Sequence, residues 1–306
     1  MIATTEYERL RETVGLVDRS QRGKLELTGA ETLEFLQGQV TNDVEALEPG
    51  RGCYAALLDH KAKLLADMRV LRLADSVWID CEEVGLPALL KNVRTYSLGR
   101  DVKSVDVSAE RAILSLIGPD AREPLDAAPT EEEHSFVEGQ HGIYVATDLG
   151  VDVICDAADA DAVREALGVE PVSEEAAECL RIESGRPRHG FDMTSSTIPQ
   201  EAGINERAVS FTKGCYVGQE TVARLHYRGK PNRSLRGLQL TAPVERGAQI
   251  VFGEREVGTI GSTCVSPAHG PIALALVRRE ASPGDSVTVG PDSIEAAVIE
   301  LPFTRA

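Results

Sequence analysis

The residues best suited to chemistry are gathered in one segment, Lys213-Gly214-Cys215-Tyr216-Val217-Gly218-Gln219-Glu220, followed by Arg224 and by Tyr227-Arg228-Gly229-Lys230. A thiol acts as nucleophile or metal ligand only as its thiolate, and nearby positive charge or a helix N-terminus favours that form. Val217, Thr221, Val222 and Leu225 recur at helical spacing, which predicts a helix that opens just after Cys215 and is capped at Gly229. Cys215 then sits near the positive end of the helix dipole, with Lys213 before it and Arg224 one to two turns later. Gly214 and Gly218 allow backbone to approach a ligand closely. The plain alternative is a buried cysteine beside an ordinary Glu220–Arg224 surface pair worth roughly 0.3 kcal/mol.

Charge sets these residues apart. The chain of 306 residues carries 49 acidic against 32 basic groups, a formal net charge of -17, with few lysines and few aromatics. That composition resembles proteins of salt-accumulating halophiles, with an acidic mesophilic protein as the alternative. In molar salt the Debye length falls to about 3 Å, so net charge says little about partners. In ordinary salt it argues against a non-specific nucleic-acid binder. Residues 221–244 contain no Asp or Glu, yet hold Arg224, His226, Arg228, Lys230, Arg233 and Arg236. A second basic group, Arg181, Arg186, Arg188 and His189, precedes them. Either the two form an electropositive cleft for an anion such as a polyglutamate tail or phosphate backbone, or they are solvated faces.

The six cysteines are widely scattered and lack zinc spacing, so most read as small buried apolar residues of a reducing compartment. No apolar run approaches the roughly 20 residues that span a membrane. The first nine residues carry Glu6, Glu8 and Arg9 without the apolar core of a secretory signal. A soluble cytoplasmic protein is expected.

The elements that must position these residues follow from periodicity. Helices are predicted over 6–19, 31–47, 86–98, 160–167 and 174–183, the last closed by Gly185 and Pro187. Strands are predicted over 24–28, 53–58, 65–73, 77–81 and 113–117, with a hairpin over 143–147 and 151–155. Residues 129–134 read as an exposed loop, and 210–212 as a strand end. Beyond Arg233, short alternating segments separated by Gly, Pro and Asp indicate a small antiparallel barrel, with a boundary near 234.

The segment K-G-C-Y-V-G-Q-E, with Arg224 and the following Y-R-G-K-P-N-R, resembles the signature of the YgfZ proteins. These are folate-binding relatives of the glycine-cleavage T protein (aminomethyltransferase), implicated in iron-sulfur cluster maintenance and tRNA modification. Leu36-Gln37-Gly38-Gln39-Val40-Thr41-Asn42-Asp43-Val44 resembles the family's early helix motif, and residues 61–69 its K-G-K-x-x-x-D-x-R segment, with Ala62 in place of the glycine. Ile198-Pro199-Gln200 and Leu301-Pro302-Phe303 resemble two further family elements.

The resemblance implies an α+β fold of three lobes around a central folate-binding opening. Residues 1–50 with 140–233 would form a discontinuous folate-binding domain, 51–139 a second domain, and 234–306 a C-terminal antiparallel β-barrel. The implied cofactor is tetrahydrofolate or its 5,10-methylene or 5-methyl derivative. Arg181-Ile182-Glu183-Ser184-Gly185 resembles the R-x-E-x-G segment whose Glu recognises the pterin, and one carboxylate can accept two parallel N–H bonds from such a ring edge. The expected folate-binding residues are Glu183, Arg181, Gln219, Glu220, Arg224 and Arg228. Cys215 is the expected working thiol with Lys213 beside it, and no metal ligands are expected.

Aminomethyltransferases resemble one another in an Asn followed some seven residues on by a catalytic Asp. Here Asp80 falls at the first position and Pro87 at the second, with Glu82 and Glu83 as candidates to fill the vacancy. Glycine-cleavage chemistry is therefore disfavoured. The leading expectation is a tetrahydrofolate-dependent accessory protein of iron-sulfur cluster assembly or repair, its partners being folate, iron-sulfur proteins or their assembly machinery, and less directly tRNA, with no membrane. Nucleophile, transient cluster ligand and one-carbon acceptor all remain open roles for Cys215. The enzymatic alternative is a folate-dependent aminomethyl- or methyltransferase using a different base.

Overall fold

The computed structural model describes residues 4–304, so Met1–Ala3 and the last two residues of the expected barrel lobe lie outside it. Helix α1 (Thr4–Glu12) leads into β1 (Gly15–Asp18) and β2 (Gly23–Thr28), then helix α2 (Thr32–Gln39). Strands β3 (Arg51–Leu58), β4 (Leu64–Arg72) and β5 (Val77–Cys81) precede helix α3 (Leu86–Tyr96) and β6 (Lys103–Asp106). Next come β7 (Arg111–Ile117), β8 (Phe136–Gly139), β9 (Gly142–Ala146) and β10 (Gly150–Asp156), then helices α4 (Ala160–Leu167) and α5 (Glu174–Glu183). A single turn, α6 (Asn205–Ala208), and helix α7 (Gln219–Arg228) lead to the barrel strands β11 (Arg233–Leu240), β12 (Gln249–Phe252), β13 (Arg255–Ser266), β14 (Gly270–Arg278), β15 (Ser286–Val289) and β16 (Ile294–Ile299).

These strands make two antiparallel five-stranded sheets, ordered β3-β4-β5-β2-β6 and β1-β7-β10-β9-β8, and a closed six-stranded barrel ordered β11-β14-β13-β12-β15-β16. Leu71 and Trp78 of the first sheet pack on Ile113, Val145 and Ile154 of the second. The outer face of the first sheet is covered by Phe35, Leu36, Leu89 and Val93 of α2 and α3, and that of the second by Ala160, Val163 and Leu167 of α4. The barrel rests on α5 through Ile182, Leu235 and Ile272. Residues 193–225 cover the β3–β4 end of the first sheet, where Met193, Ile198, Tyr216 and Val222 pack on Ala56, Leu58 and Leu64. Among the described residues no helix is long and apolar enough to cross a membrane.

The mixed α and β architecture and the barrel are as expected, but the strands divide the chain differently from the expected lobes. β3 to β5 share a sheet with β2, and β7 and β8 share one with β9 and β10. The expected limits at 50/51 and 139/140 therefore fall within single sheets, because backbone pairing over long sequence separation decides membership. The helix expected over 6–19 ends at Glu12. Leu16 and Val17 instead alternate on β1, one facing α4 and the other facing α1 and α5. The helix expected over 31–47 ends at Gln39, where Val40 turns extended and bridges to Leu57. Val44 and Leu47 still reach the same core without helical backbone.

Candidate functional site

The period-two alternation of β4 sends Ala66, Met68 and Val70 into the α2–α3 core and leaves Asp67 and Arg69 on the opposite face. Register places Tyr54 beside Arg69 and Arg69 beside Asp80, so three polar side chains cross three strands in one row. They line a central cavity of about 200 Å³, closed by Asp152 of β10, by Glu133 and His134, by Glu174, Glu178 and Arg181 of α5, and by Arg188, His189 and Arg207.

Charges alternate around its walls. Arg69 donates through Nε to Asp80 at 2.7 Å and through Nη1 to Asp152 at 2.7 Å. Arg22 donates to Asp80 at 2.9 Å and to Glu82 at 2.8 Å, and Glu82 accepts also from Arg188 at 2.9 Å. Burial alone would raise the Asp80 pKa, but the charges of Arg69 and Arg22, with hydrogen bonds from Arg69 and the Trp78 indole, hold it at about 2.

Several buried polar atoms at this cavity have no partner among the described residues: Asp67 Oδ1, Arg69 Nη2, both ring nitrogens of His134, His189 Nδ1 and Arg207 Nε. Each such atom costs on the order of 1–3 kcal/mol when left dry, so their convergence marks a place for water or a polar ligand. Asp67 is the most distinctive. Tyr54 donates to its Oδ2 at 2.6 Å, Oδ1 is open, and burial raises its pKa despite the Tyr54 bond and nearby His189. A buried carboxyl with one free oxygen and a raised pKa is placed to exchange a proton with a ligand in the cavity. Burial, reinforced by Arg69 and Arg207, lowers the His134 pKa to about 3, so its imidazole is neutral. His134 also holds a left-handed backbone, φ 69°, a strained state found disproportionately at functional sites. The Arg207 guanidinium lies 5.0 Å over the Tyr54 ring.

The residues expected from sequence separate into different places. Arg181 reaches the cavity, but its donors are taken by Glu178, Asp192, Ser262 and the Arg186 carbonyl. Glu183 does not line the cavity. It is buried and accepts from Tyr7 at 2.9 and 3.1 Å, from Arg11 at 3.4 Å, and from Ser266 and Cys179. Five residues along a helix is about 140° of rotation, so the cavity meets Glu178 while Glu183 points toward α1 and the barrel.

Lys213 is not the partner of Cys215. Its buried ammonium donates to the carbonyls of Gln37, Val40 and Asn42 at 2.7, 2.8 and 2.7 Å, tying the cysteine loop to the end of α2. Burial lowers its pKa to about 8. The helix begins at Gln219 with Gly218 as N-cap, so Cys215 lies four residues upstream of the dipole expected to act on it. Gly218 has φ 87°, and a Cβ there would lie 2.8 Å from the Asp59 carbonyl, so this glycine serves packing against the β3–β4 turn. At that turn Ala62 itself has φ 62°, a backbone that accounts for the glycine expected there. Gly229 is extended at φ -134° and is not the left-handed cap expected.

Cys215 is exposed, and Gln219, Glu220, Arg224 and Arg228 stand with it away from the cavity. The acid-free tract divides. Arg233 pairs with Glu201 and Arg236 with Glu300, while Arg224, Arg228 and Lys230 are exposed and make no ion pair among the described residues. The earlier basic cluster is the one that reaches the cavity, through Arg181, Arg188 and His189. Glu82 faces the cavity too, whereas Glu83 and Pro87 are exposed. Asp67 and Arg69 were visible only as members of a motif, and His134 fell in a segment that reads as an exposed loop. No metal-ligating cluster occurs among the described residues.

Residues 1–156 match the GCVT N-terminal domain and residues 233–304 the glycine cleavage T-protein C-terminal barrel domain. The crystal structure of glycine cleavage system aminomethyltransferase T from Bartonella henselae superimposes with a TM-score of 0.89 at 25% identity, covering 98% of this chain and 89% of that one. A chloroplastic protein of Arabidopsis thaliana, provisionally named a transferase, is 27% identical over 95% of this chain and 71% of its own length.

Proposed function

The chain belongs to the glycine cleavage T-protein family, and from that premise we propose that its central cavity binds tetrahydrofolate while the exposed Cys215 meets a separate macromolecular partner. The observation that carries this reading is the convergence of unpaired buried polar atoms on one charged cavity. A reduced pterin has N–H groups for carboxylate acceptors and a carbonyl for guanidinium donors, so a wall of alternating Asp, Glu and Arg suits it. In this reading Asp67 and Arg69 Nη2 bind the ring, and the neutral His134 offers both donor and acceptor.

Glu183 has no part in that arrangement, because it does not line the cavity. Placement in the YgfZ-type branch is supported by the cysteine segment and by the exposed Pro87 where a catalytic Asp would stand. Cys215, outside the cavity and on the surface, then acts toward iron-sulfur proteins or their assembly machinery. The exposed side of α7, with Arg224, Tyr227, Arg228 and Lys230, would meet an acidic partner, tRNA being one candidate.

Isothermal titration with tetrahydrofolate tests the cavity. Asp67→Asn is expected to weaken binding at least about tenfold, roughly 1.4 kcal/mol, and an unaltered affinity, or no binding by the unmodified protein, rejects the assignment. Cluster-enzyme activity in cells carrying Cys215→Ala tests the second half, and undiminished activity rejects it. One observation favours a transferase reading beside this one: Asp67 is a buried carboxyl of raised pKa with a free oxygen in the cavity, a substitute for the missing base. Tetrahydrofolate-dependent transfer of a methyl or aminomethyl group that Asp67→Asn abolishes would establish it.

A further inference from the structure

Cys179 and Cys264 lie 85 residues apart in sequence, yet their sulfurs are 3.3 Å apart. Cys179 is fully buried on α5. Cys264, half-buried on β13, lines an apolar groove between α5 and the barrel together with Ile182, Phe191 and Val265. One helical turn beyond Cys179, the Glu183 Oε1 atom is 3.6 Å from its sulfur. The three groups form a line from the groove inward, in which the Cys264 thiol donates to Cys179 and the Cys179 thiol donates to Glu183.

Packing accounts for two sulfurs in contact, but it gives no reason for a carboxylate directly behind them. Glu183 is kept in place by Tyr7, Arg11 and Ser266. The sulfur contact shared with Cys264, then burial, keeps the Cys179 thiol protonated, so it cannot react until something removes its proton.

We propose that Cys179 and Cys264 form a reversible disulfide by exchange with an oxidised low-molecular-weight disulfide, Glu183 accepting the Cys179 proton as the bond closes. The accessible Cys264 loses its proton to solvent and attacks one sulfur of the small disulfide. A Cys264 mixed disulfide forms and one small thiol leaves. Cys179 then passes its proton to Glu183 and attacks the Cys264 sulfur, expelling the second small thiol. The two protein thiols lose two electrons, and the small disulfide gains them as it becomes two thiols. Closing requires the sulfurs to move from 3.3 Å to about 2 Å.

The bond would fasten α5 to the barrel. α5 supplies Glu178 and Arg181 to the cavity wall, so the redox state of the small-thiol pool would act on the rigidity of that wall. This inference does not depend on which ligand the cavity takes.

The full chain is incubated with glutathione disulfide, quenched with an alkylating reagent, digested and analysed by mass spectrometry. A peptide linking Cys179 to Cys264 is expected, reversed by dithiothreitol and absent in Cys264→Ser. Recovery of Cys179 as an alkylated thiol while Cys264 carries glutathione would overturn the disulfide. In Glu183→Gln, which keeps the side chain's size, the Cys264 mixed disulfide should accumulate and closure should slow by roughly 100-fold. Closure at the unmodified rate would overturn the role of Glu183, and mapping of the unmodified protein stands whether or not that variant folds.

Discussion

Asp80→Asn installs the residue that the aminomethyltransferases resemble one another in having here, and it should weaken this protein. Asp80 is buried between Arg69 and Arg22, bonded to them at 2.7 and 2.9 Å. Its pKa falls from 3.8 to about 2 on folding. At about 1.4 kcal/mol per unit, that drop corresponds to about 2.5 kcal/mol of stability. The folded pKa is depressed, so this stability is present above the unfolded value of 3.8 and is lost as pH falls toward 2. Asparagine cannot carry the charge that the two guanidinia require. Urea unfolding at pH 7 should show the variant less stable by about 2.5 kcal/mol, with the gap shrinking to about half by pH 3. A gap under about 1 kcal/mol, or one that is the same at pH 3 as at pH 7, would refute the claim that Asp80 is ionised and held by these arginines.

Lys213→Met should cost about 3 kcal/mol in urea unfolding, because three carbonyls at the end of α2 lose a charged donor; a loss below about 1 kcal/mol would return Lys213 to the role of neighbour to Cys215. Gly218→Ala should lower stability by about 2 kcal/mol, since alanine must adopt φ 87° with its Cβ against the Asp59 carbonyl. A neutral effect in a thermal melt would contradict that packing. Cys215→Ser should leave tetrahydrofolate affinity within about twofold, a change of roughly 0.4 kcal/mol, and a larger loss would place the thiol in the folate site.

Local pattern carried much of the fold. α5 was legible at its C-terminal end, where Gly185 turns left-handed after it at φ 73°. The barrel was legible because its short strands alternate between Gly- and Pro-marked turns, and all six pair into one closed ring. β1 was not, since four residues carry too little periodicity to be told from the end of a helix.

The candidate site was legible only in fragments. Sequence alone determined that a basic cluster precedes α6, that residues 61–69 carry a family-like motif, and that the cysteine segment is unusual. It assigned Lys213 to Cys215 by proximity along the chain, whereas the Lys213 ammonium bonds to carbonyls more than 170 residues away. It assigned Glu183 to the ligand, whereas the rotation of α5 against α1 and the barrel turns that carboxylate to Tyr7, Ser266 and Cys179. Tertiary structure alone decided which charges meet. The cavity exists because register sets Tyr54, Arg69 and Asp80 in one row, and a charged side chain a few ångströms long binds whichever partner the packed backbone brings within reach.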